Sequence, residues 1–314
     1  MIWTWFVMTV LIVGSIAYDS VESPAGSVTN ALGGSATYSG LSCQFIQRLH
    51  GGANASLVGV VGSDFTSSDR EILSKSGLEL SGLEVAEGET FRWEGAYHGA
   101  MAEAETRATH LNVFEHFEPR VPEDAKQPTI LFCANLHPAI QRNVMEQTSP
   151  LRFTMLDSMN LWIDIARPEL LEVMTAADLV IINDGEARML TQEDNLVRAM
   201  HDLAEQTDTT TLVVKRGEHG VLALHRGELL ALPAYPTANL VDPTGCGDTF
   251  AGALASHLSQ RTQALEMAEL RDGLMMATVM ASFTLEAFGT DALRALEVEE
   301  FDNRYLGYRT MLGL

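Results

Sequence analysis

Short apolar runs alternate along most of the chain with segments of helical periodicity. Residues 129–134, 153–156 and 179–182 are apolar and have the length of buried strands. The segments between them, 138–147 and 168–176, carry apolar positions at a helical repeat. Strands that alternate with helices are typical of a parallel sheet. We therefore predict an α/β fold with a doubly wound, mostly parallel sheet and helices on both faces.

The same pattern extends towards both ends of the chain. Further strands are predicted at residues 55–61 and 211–214, and further helices at 69–76 and 268–288. Gly289 follows the last of these helices as a C-cap residue. No internal repeat or linker interrupts the sequence, so we predict a single domain over residues 1–314.

Residues 89–113 follow a different pattern, in which polar and aromatic side chains alternate. This alternation is typical of exposed or half-buried strands. We interpret Arg92, Trp93 and Tyr97 as solvated residues of such strands.

The first 17 residues are almost all apolar but contain no Lys or Arg and are short for a membrane span. We predict a buried first strand at residues 9–16 rather than a signal peptide or a membrane anchor. Met8 is an alternative start, which would leave residues 1–7 outside the native chain.

The most informative motif is the turn Gly245-Cys246-Gly247-Asp248, which opens a predicted helix. Glycine lets bare backbone approach a ligand, and the unpaired N–H groups of a helix N-terminus favour phosphate or a developing oxyanion. A carboxylate beside such a site can accept a proton from an attacking hydroxyl. The alternative interpretation is an ordinary turn in which Asp248 caps the helix.

Two other nucleotide motifs are absent from the sequence. None of the three lysines (Lys75, Lys126 and Lys215) follows a glycine, which excludes a P-loop, and Gly245 and Gly247 lack a third glycine at the Rossmann spacing. The sequence therefore excludes both a P-loop and a Rossmann dinucleotide fingerprint.

Several predicted strands end in polar residues. Asp19, Asn135, Asp157 and Asn183 follow four of the apolar runs. Ligands of open α/β sheets bind beyond the carboxyl ends of the strands, so Asp19 is placed to hold substrate hydroxyls, although a turn aspartate would look the same.

Charge and cysteine content limit the partners and the compartment. A net charge of −22 argues against nucleic acid and against an anionic membrane, because both would be repelled. Three cysteines without a C-x-x-C pair indicate neither a disulfide framework nor a zinc site, which fits a reducing cytoplasm.

The turn at 245–248, within D-P-T-G-C-G-D-T-F-A-G, resembles the C-terminal signature of the ribokinase/PfkB family of carbohydrate kinases. The resemblance implies that Asp248 is the catalytic base and that Gly245, Cys246 and Gly247 form an anion hole. It also implies a ribokinase-like fold with a small β-strand lid formed by segments near 17–30 and 88–113.

Weaker motifs occur in the order that the family has. Asp19 and the diglycine Gly33-Gly34 match the family's substrate-binding elements, and we also assign the segment 157–162, with Asn160, to the acceptor or its phosphate. Tyr38 departs from the asparagine that is usual in ribokinases, which puts ribose itself in doubt.

On the nucleotide side, Asn183 and Glu186 match the family's N-x-x-E motif, which orders Mg²⁺ through water. Glu186 could instead cap a helix. Lys215, Gly217 and Gly220 match the hairpin beside the nucleotide, with Lys215 or its neighbour Arg216 supplying positive charge.

The resemblance implies transfer of the γ-phosphoryl group of ATP to a hydroxymethyl group of a sugar or nucleoside. Mg²⁺ would be required, members of the family can also hold a monovalent cation (K⁺) near Asp242, and the lid offers a surface for a homodimer. Two alternatives stay open: an acyl-transfer enzyme that uses Cys246, whose pKa a helix N-terminus would lower, and a non-catalytic binding protein.

Overall fold

The computed structural model describes residues 9–101 and 103–314. Our expectations for the alternative start at Met8 and for residues 1–7 lie outside the described residues. Within them the chain forms two sheets. The strands, in chain order, are β1 (Val10–Val13), β2 (Ala17–Ser23), β3 (Gly26–Gly33), β4 (Ser56–Gly62), β5 (Glu79–Ala86), β6 (Phe91–Tyr97), β7 (Ala104–His110), β8 (Ile130–Cys133), β9 (Phe153–Asp157), β10 (Leu179–Asn183), β11 (Thr211–Lys215), β12 (Val221–His225) and β13 (Glu228–Leu232).

The larger sheet has the order β13-β12-β11-β10-β9-β8-β1-β4-β5. Its strands run parallel from β11 to β5, and β12 and β13 form an antiparallel hairpin at the β11 edge. The predicted doubly wound, mostly parallel sheet is therefore confirmed. Its carboxyl edge is where the polar strand ends come together.

Helices cover both faces of this sheet. They are α1 (Ser35–His50), α2 (Ser67–Lys75), α3 (Pro138–Gln147), α4 (Asn160–Ile165), α5 (Arg167–Thr175), α6 (Asp184–Thr191), α7 (Leu196–Thr207), α8 (Cys246–Leu258), α9 (Met267–Thr284), α10 (Asp291–Ala295) and α11 (Val298–Met311). Alternate residues of β1 show the two-sided burial: Val10 and Ile12 pack with α1, α8 and α9, whereas Leu11 and Val13 pack with the opposite cluster. This is why the parallel strands are apolar throughout.

The smaller sheet has the order β3-β2-β6-β7 and contains the strands predicted within residues 89–113. Val21, Tyr97 and Met101 form its buried cluster, against which Phe288 packs. The chain passes from β1 to β2 through Gly14, Ser15 and Ile16, so the two sheets are joined close to the carboxyl edge of the larger one.

Two features near the C-terminus differ from the prediction. Helix α9 ends at Thr284, and Gly289 is not its C-cap. Gly289 instead lies in the following loop with a φ of 58°, and its N–H donates to Asp242. Helix α11 was not predicted, yet it buries Phe301 and Tyr308.

Across the described residues, no helix combines the length and the apolar character that a bilayer crossing needs.

Candidate active site

The turn Gly245–Gly247 lies at the N-terminus of α8, at the carboxyl edge of the large sheet. Gly245 is the N-cap with a φ of 76°, and the N–H of Thr249 donates the first hydrogen bond of the helix to the carbonyl oxygen of Gly245. A Cβ at Gly245 would overlap the ring of Tyr38, which is fully buried beneath the turn. Only glycine can adopt this positive φ and also avoid the Tyr38 ring. The turn is partly exposed. The N–H of Cys246 donates to the carbonyl oxygen of Pro243 at 3.2 Å, whereas those of Gly245 and Gly247 have no backbone acceptor among the described residues and can face a ligand.

Asp248 lies in the first turn of α8, directly after these amides. Burial and the charge of Asp157 raise its pKa to about 7, although Lys215 opposes the shift. A helix dipole alone would lower this pKa, so desolvation and a neighbouring carboxylate outweigh the dipole here. A carboxylate whose pKa lies near neutrality is well suited to general-base chemistry.

The predicted substrate residues Asp19, Gly33 and Gly34 lie together. Asp19 is buried on β2, its carboxylate packs so closely on Gly33 that a Cβ there would overlap it, and the N–H of Gly34 donates to it. Burial raises the pKa of Asp19 to about 7, with smaller contributions from the charges of Asp242 and Asp248. Asp19 and Asp248 therefore share one electrostatic environment.

Asn160 is placed differently from those residues. It is exposed at the start of α4, and its side-chain oxygen accepts a hydrogen bond from the N–H of Leu161. Within the described part of the chain, no hydrogen bond connects Asn160 with Asp19.

Asn183 and Glu186 form a capping box at the start of α6. The side-chain oxygen of Asn183 accepts from the N–H of Glu186 at 2.8 Å, and a carboxylate oxygen of Glu186 accepts from the N–H of Asn183 at 2.7 Å. The capping role that the sequence left open is thus realised. Burial raises the pKa of Glu186 to about 7, with the Lys215 charge opposing it.

Lys215 ends β11 and lies beside the turn Gly245–Gly247. Its ammonium nitrogen would lie 3.0 Å from a Cβ on Gly247, and it donates to Asp157 at 2.8 Å. Gly220 requires glycine, because it has a φ of 84° and a Cβ there would overlap the backbone of Leu232. Gly217 has a φ of 52° but open space around it.

Two residues interpreted as solvated belong instead to the contacts between the sheets. Tyr97 is buried, and its oxygen accepts a hydrogen bond from Thr244, just before the turn. Arg92 pairs with Asp64 at 2.6 Å. The alternating pattern could not show which face of these strands packs against the rest of the molecule.

Asp157 and Asp242, which the sequence linked only to the acceptor segment and to a monovalent cation, are both buried at the site. Asp242 accepts from the N–H groups of Thr244 and Gly289, and so ties two loops together. In the sequence, Asp157 is recognisable as a polar residue at a strand end, and Asp242 as the aspartate that precedes Pro243.

The Cys246 thiol lacks the activation that a nucleophile needs. Burial and the charges of Asp242 and Asp248 raise its pKa, which corrects the expectation of a lowered value. His257 lies at the far end of α8, and burial lowers its pKa to about 4. The acyl-transfer alternative therefore loses its physical basis.

No group of three metal-ligating side chains occurs in the described part of the chain. Mg²⁺ commonly uses one or two carboxylates together with substrate phosphates and water, so Glu186 and its acidic surroundings fit that mode of binding.

Comparison with known proteins is consistent with this site. Residues 9–295 match the family model described as pfkB family carbohydrate kinase. A cytidine kinase of Thermococcus kodakarensis is 26% identical over 263 residues, which cover 81% of this chain and 89% of the relative. A fructokinase of Klebsiella pneumoniae is 29% identical over 127 residues, 40% of each chain. Among solved structures, a nucleoside kinase of Burkholderia thailandensis in complex with ADP-inosine superposes with a TM-score of 0.76 at 19% identity, covering 95% of both chains.

Proposed function

Because the chain belongs to the pfkB family of carbohydrate kinases, we propose that it transfers the γ-phosphoryl group of ATP to a hydroxymethyl group of a sugar or nucleoside. The observation that carries the proposal is the position of Asp248. It lies beside the turn of residues 245–247 and beside Lys215, in the same electrostatic environment as Asp19.

In this mechanism Asp19 holds hydroxyl groups of the acceptor, and Asp248 accepts the proton of the attacking hydroxyl. Little proton transfer is needed before a loose transition state forms, so a carboxylate base with a pKa of about 7 suffices. The N–H groups of Gly245, Cys246 and Gly247 stabilise negative charge on the phosphoryl oxygens.

The residues proposed to bind the phosphate donor, ATP, are Asn183, Glu186, Lys215, Gly217 and Gly220. Glu186 would hold Mg²⁺ through water, and the ion would neutralise charge on the phosphates. Lys215 adds a fixed positive charge in a chain of net charge −22. A monovalent cation beside Asp242 remains a further prediction.

The proposed acceptors include nucleosides as well as sugars, although the family name refers to carbohydrates. The cytidine kinase matches this chain over most of both lengths, whereas the fructokinase match covers 40% of each. Tyr38 lies in the place where ribokinases usually have asparagine and is fully buried under Gly245, so the floor of this site differs in size and polarity.

A panel of nucleosides and sugars with ATP and Mg²⁺, scored by ADP release, tests the proposal. We expect acceptor-dependent ADP release with one class clearly preferred. The same stoichiometry of phosphorylated acceptor must be found by mass spectrometry. ATP binding without turnover for every acceptor would favour the non-catalytic alternative.

Asp248→Asn tests the base directly. We expect turnover to fall by about 10³-fold or more, because the amide cannot accept the proton, while ATP affinity changes little. Cys246→Ala is the matched control, since its backbone N–H is retained and its thiol has no role in the mechanism. Wild-type turnover in Asp248→Asn would exclude this residue as the base.

A further inference from the structure

Asp157 and Lys215 form an ion pair across the carboxyl edge of the large sheet, 2.8 Å apart. Asp157 ends β9 and Lys215 ends β11, with β10 between them. Two strand spacings are about 10 Å, so the lysine side chain must cross the end of β10 to reach the carboxylate. This pairing exists only because three strands are in the correct register.

Asp157 is held from both sides, independently of the lysine. Its other carboxylate oxygen accepts from the N–H of Ser158 at 2.8 Å. Its carbonyl oxygen accepts from the side chain of Gln141, which also binds the carbonyl of Ala134. The Asp157 side chain is 3% exposed, so this carboxylate is a fixed point at the floor of the site.

The Lys215 ammonium group faces the anion-hole turn from that fixed point. One of its three protons goes to Asp157, and the other two have no acceptor among the described residues. The nitrogen lies where a Cβ on Gly247 would be 3.0 Å away. Burial lowers the pKa of Lys215, but the charges of Asp157 and Glu186 outweigh burial and raise it, so the group stays protonated.

We propose that Asp157 is a positioning residue, which holds the ammonium group of Lys215 against the turn so that its two free protons bind oxygens of the phosphoryl group in transfer. This inference rests on the proposed function. An unpaired lysine side chain samples many rotamers. If Asp157 already fixes the rotamer of Lys215, the entropy cost of ordering this side chain no longer adds to the barrier of the chemical step. A buried pair made only for stability gains little over an apolar pair, so a positioning role explains better why both charges are kept.

The test compares Asp157→Asn in two backgrounds, wild type and Lys215→Met, with kcat measured at saturating ATP and acceptor. Asparagine keeps the shape of Asp157 and can still accept from Ser158. We expect Asp157→Asn to lower kcat about 10-fold in the wild-type background, Lys215→Met to lower it about 100-fold, and the double variant to match Lys215→Met alone. The KM of the acceptor should stay constant throughout.

An equal loss of kcat from Asp157→Asn in both backgrounds would overturn the proposal, because the aspartate would then act independently of the lysine. So would an unchanged kcat in the wild-type background. Asp157→Glu is a second variant, which keeps the charge but shifts it by one methylene. Its melting temperature, measured alongside, separates a folding loss from a loss of kcat, and wild-type kcat in this variant would also contradict the positioning role.

Glu269→Gln provides the matched control. Glu269 forms another buried ion pair, with Arg152, whose side chains are 6% and 2% exposed. Arg152 precedes β9 and therefore lies at the opposite, amino edge of the sheet. Glu269→Gln should lower the melting temperature and leave kcat unchanged. A wild-type protein that phosphorylates no acceptor would refute the proposed function itself, whereas an active wild type with independent losses would refute only the role of Asp157.

Discussion

At the scale of single residues, Gly245 shows most directly how the sequence fixes the turn that we propose as the anion site. Gly245→Ala would force a side chain into φ 76° and against the Tyr38 ring. We expect a loss of about 1–3 kcal/mol in unfolding free energy and a kcat lowered by at least 100-fold, because the displaced turn no longer points its amides at the phosphoryl group.

Gly227→Ala is the control for this prediction. Gly227 has a φ of 84°, but no atom lies within 4 Å of the position that a Cβ would take, so the substitution introduces the strain without the clash. It should lower stability while kcat stays at the wild-type level. Equal kcat losses in the two variants would show that the Tyr38 contact is irrelevant.

Tyr38 carries a buried hydroxyl with no hydrogen-bond partner among the described residues. Such a group costs about 1–3 kcal/mol when it is left unsatisfied. Tyr38→Phe should therefore raise the unfolding free energy by about 1 kcal/mol in urea titration. Tyr308→Phe is the matched comparison: Tyr308 is equally buried but donates to the carbonyl of Pro233, so its replacement should destabilise. Destabilisation by both substitutions would mean that Tyr38 finds a partner in solution.

Asp19 makes the free energy of unfolding depend on pH. Burial raises its folded-state pKa to about 7 from the ordinary 3.8, so its stabilising contribution is present below about pH 4 and is lost as the pH rises to 7. Asp19→Asn should remove part of the fall in stability between about pH 4 and pH 7, measured by urea unfolding. Asp64 is the opposite case: burial raises its pKa, but hydrogen bonds from Thr90 and the charge of Arg92 lower it overall, so its stabilising contribution is present above about pH 4 and is lost as the pH falls. Asp64→Asn should therefore lower stability chiefly above about pH 4. If the free energy of unfolding depends on pH in Asp19→Asn as it does in the wild type, the raised pKa assigned to Asp19 is wrong.

At the scale of elements, the sequence predicted what depends on local pattern. Strands buried on both faces were recognisable as apolar runs, and α3 begins and ends where its periodicity indicated, at Pro138–Gln147. The end of α9 was not recognisable, because residues 285–288 continue its mostly apolar character although the chain has already left the helix. Gly289 serves a loop that binds Asp242, and that contact joins positions 47 residues apart.

The same distinction applies to the candidate site. Asp248 and its glycines form one contiguous motif, so their proximity could be predicted. The pairing of Asp157 with Lys215 could not, because it depends on the register of β9, β10 and β11. The reversed pKa shifts of Asp248 and Cys246 were also out of reach, since desolvation is a property of the packed molecule.

At the scale of the whole molecule, the dominant feature is a net charge of −22 with only three lysines. Mutual repulsion among these carboxylates opposes compaction, and salt screens it, since the Debye length falls from about 10 Å at 0.1 M to about 3 Å at 1 M. We expect the melting temperature to rise by several degrees between about 0.05 M and 1 M KCl. Sucrose at matched osmolality is the control, and a melting temperature that is flat or falls with KCl would show that the charges are already balanced locally.

Under the proposed function, the main acceptor residues and the catalytic turn lie in different stretches of this chain. Asp19 and the diglycine belong to residues 17–34, which mostly build the small sheet, whereas the base, the anion turn and Lys215 belong to residues 215–248 at the edge of the large one. Under that proposal, replacements in the first stretch are expected to change which alcohol is accepted more than how the phosphoryl group is bound.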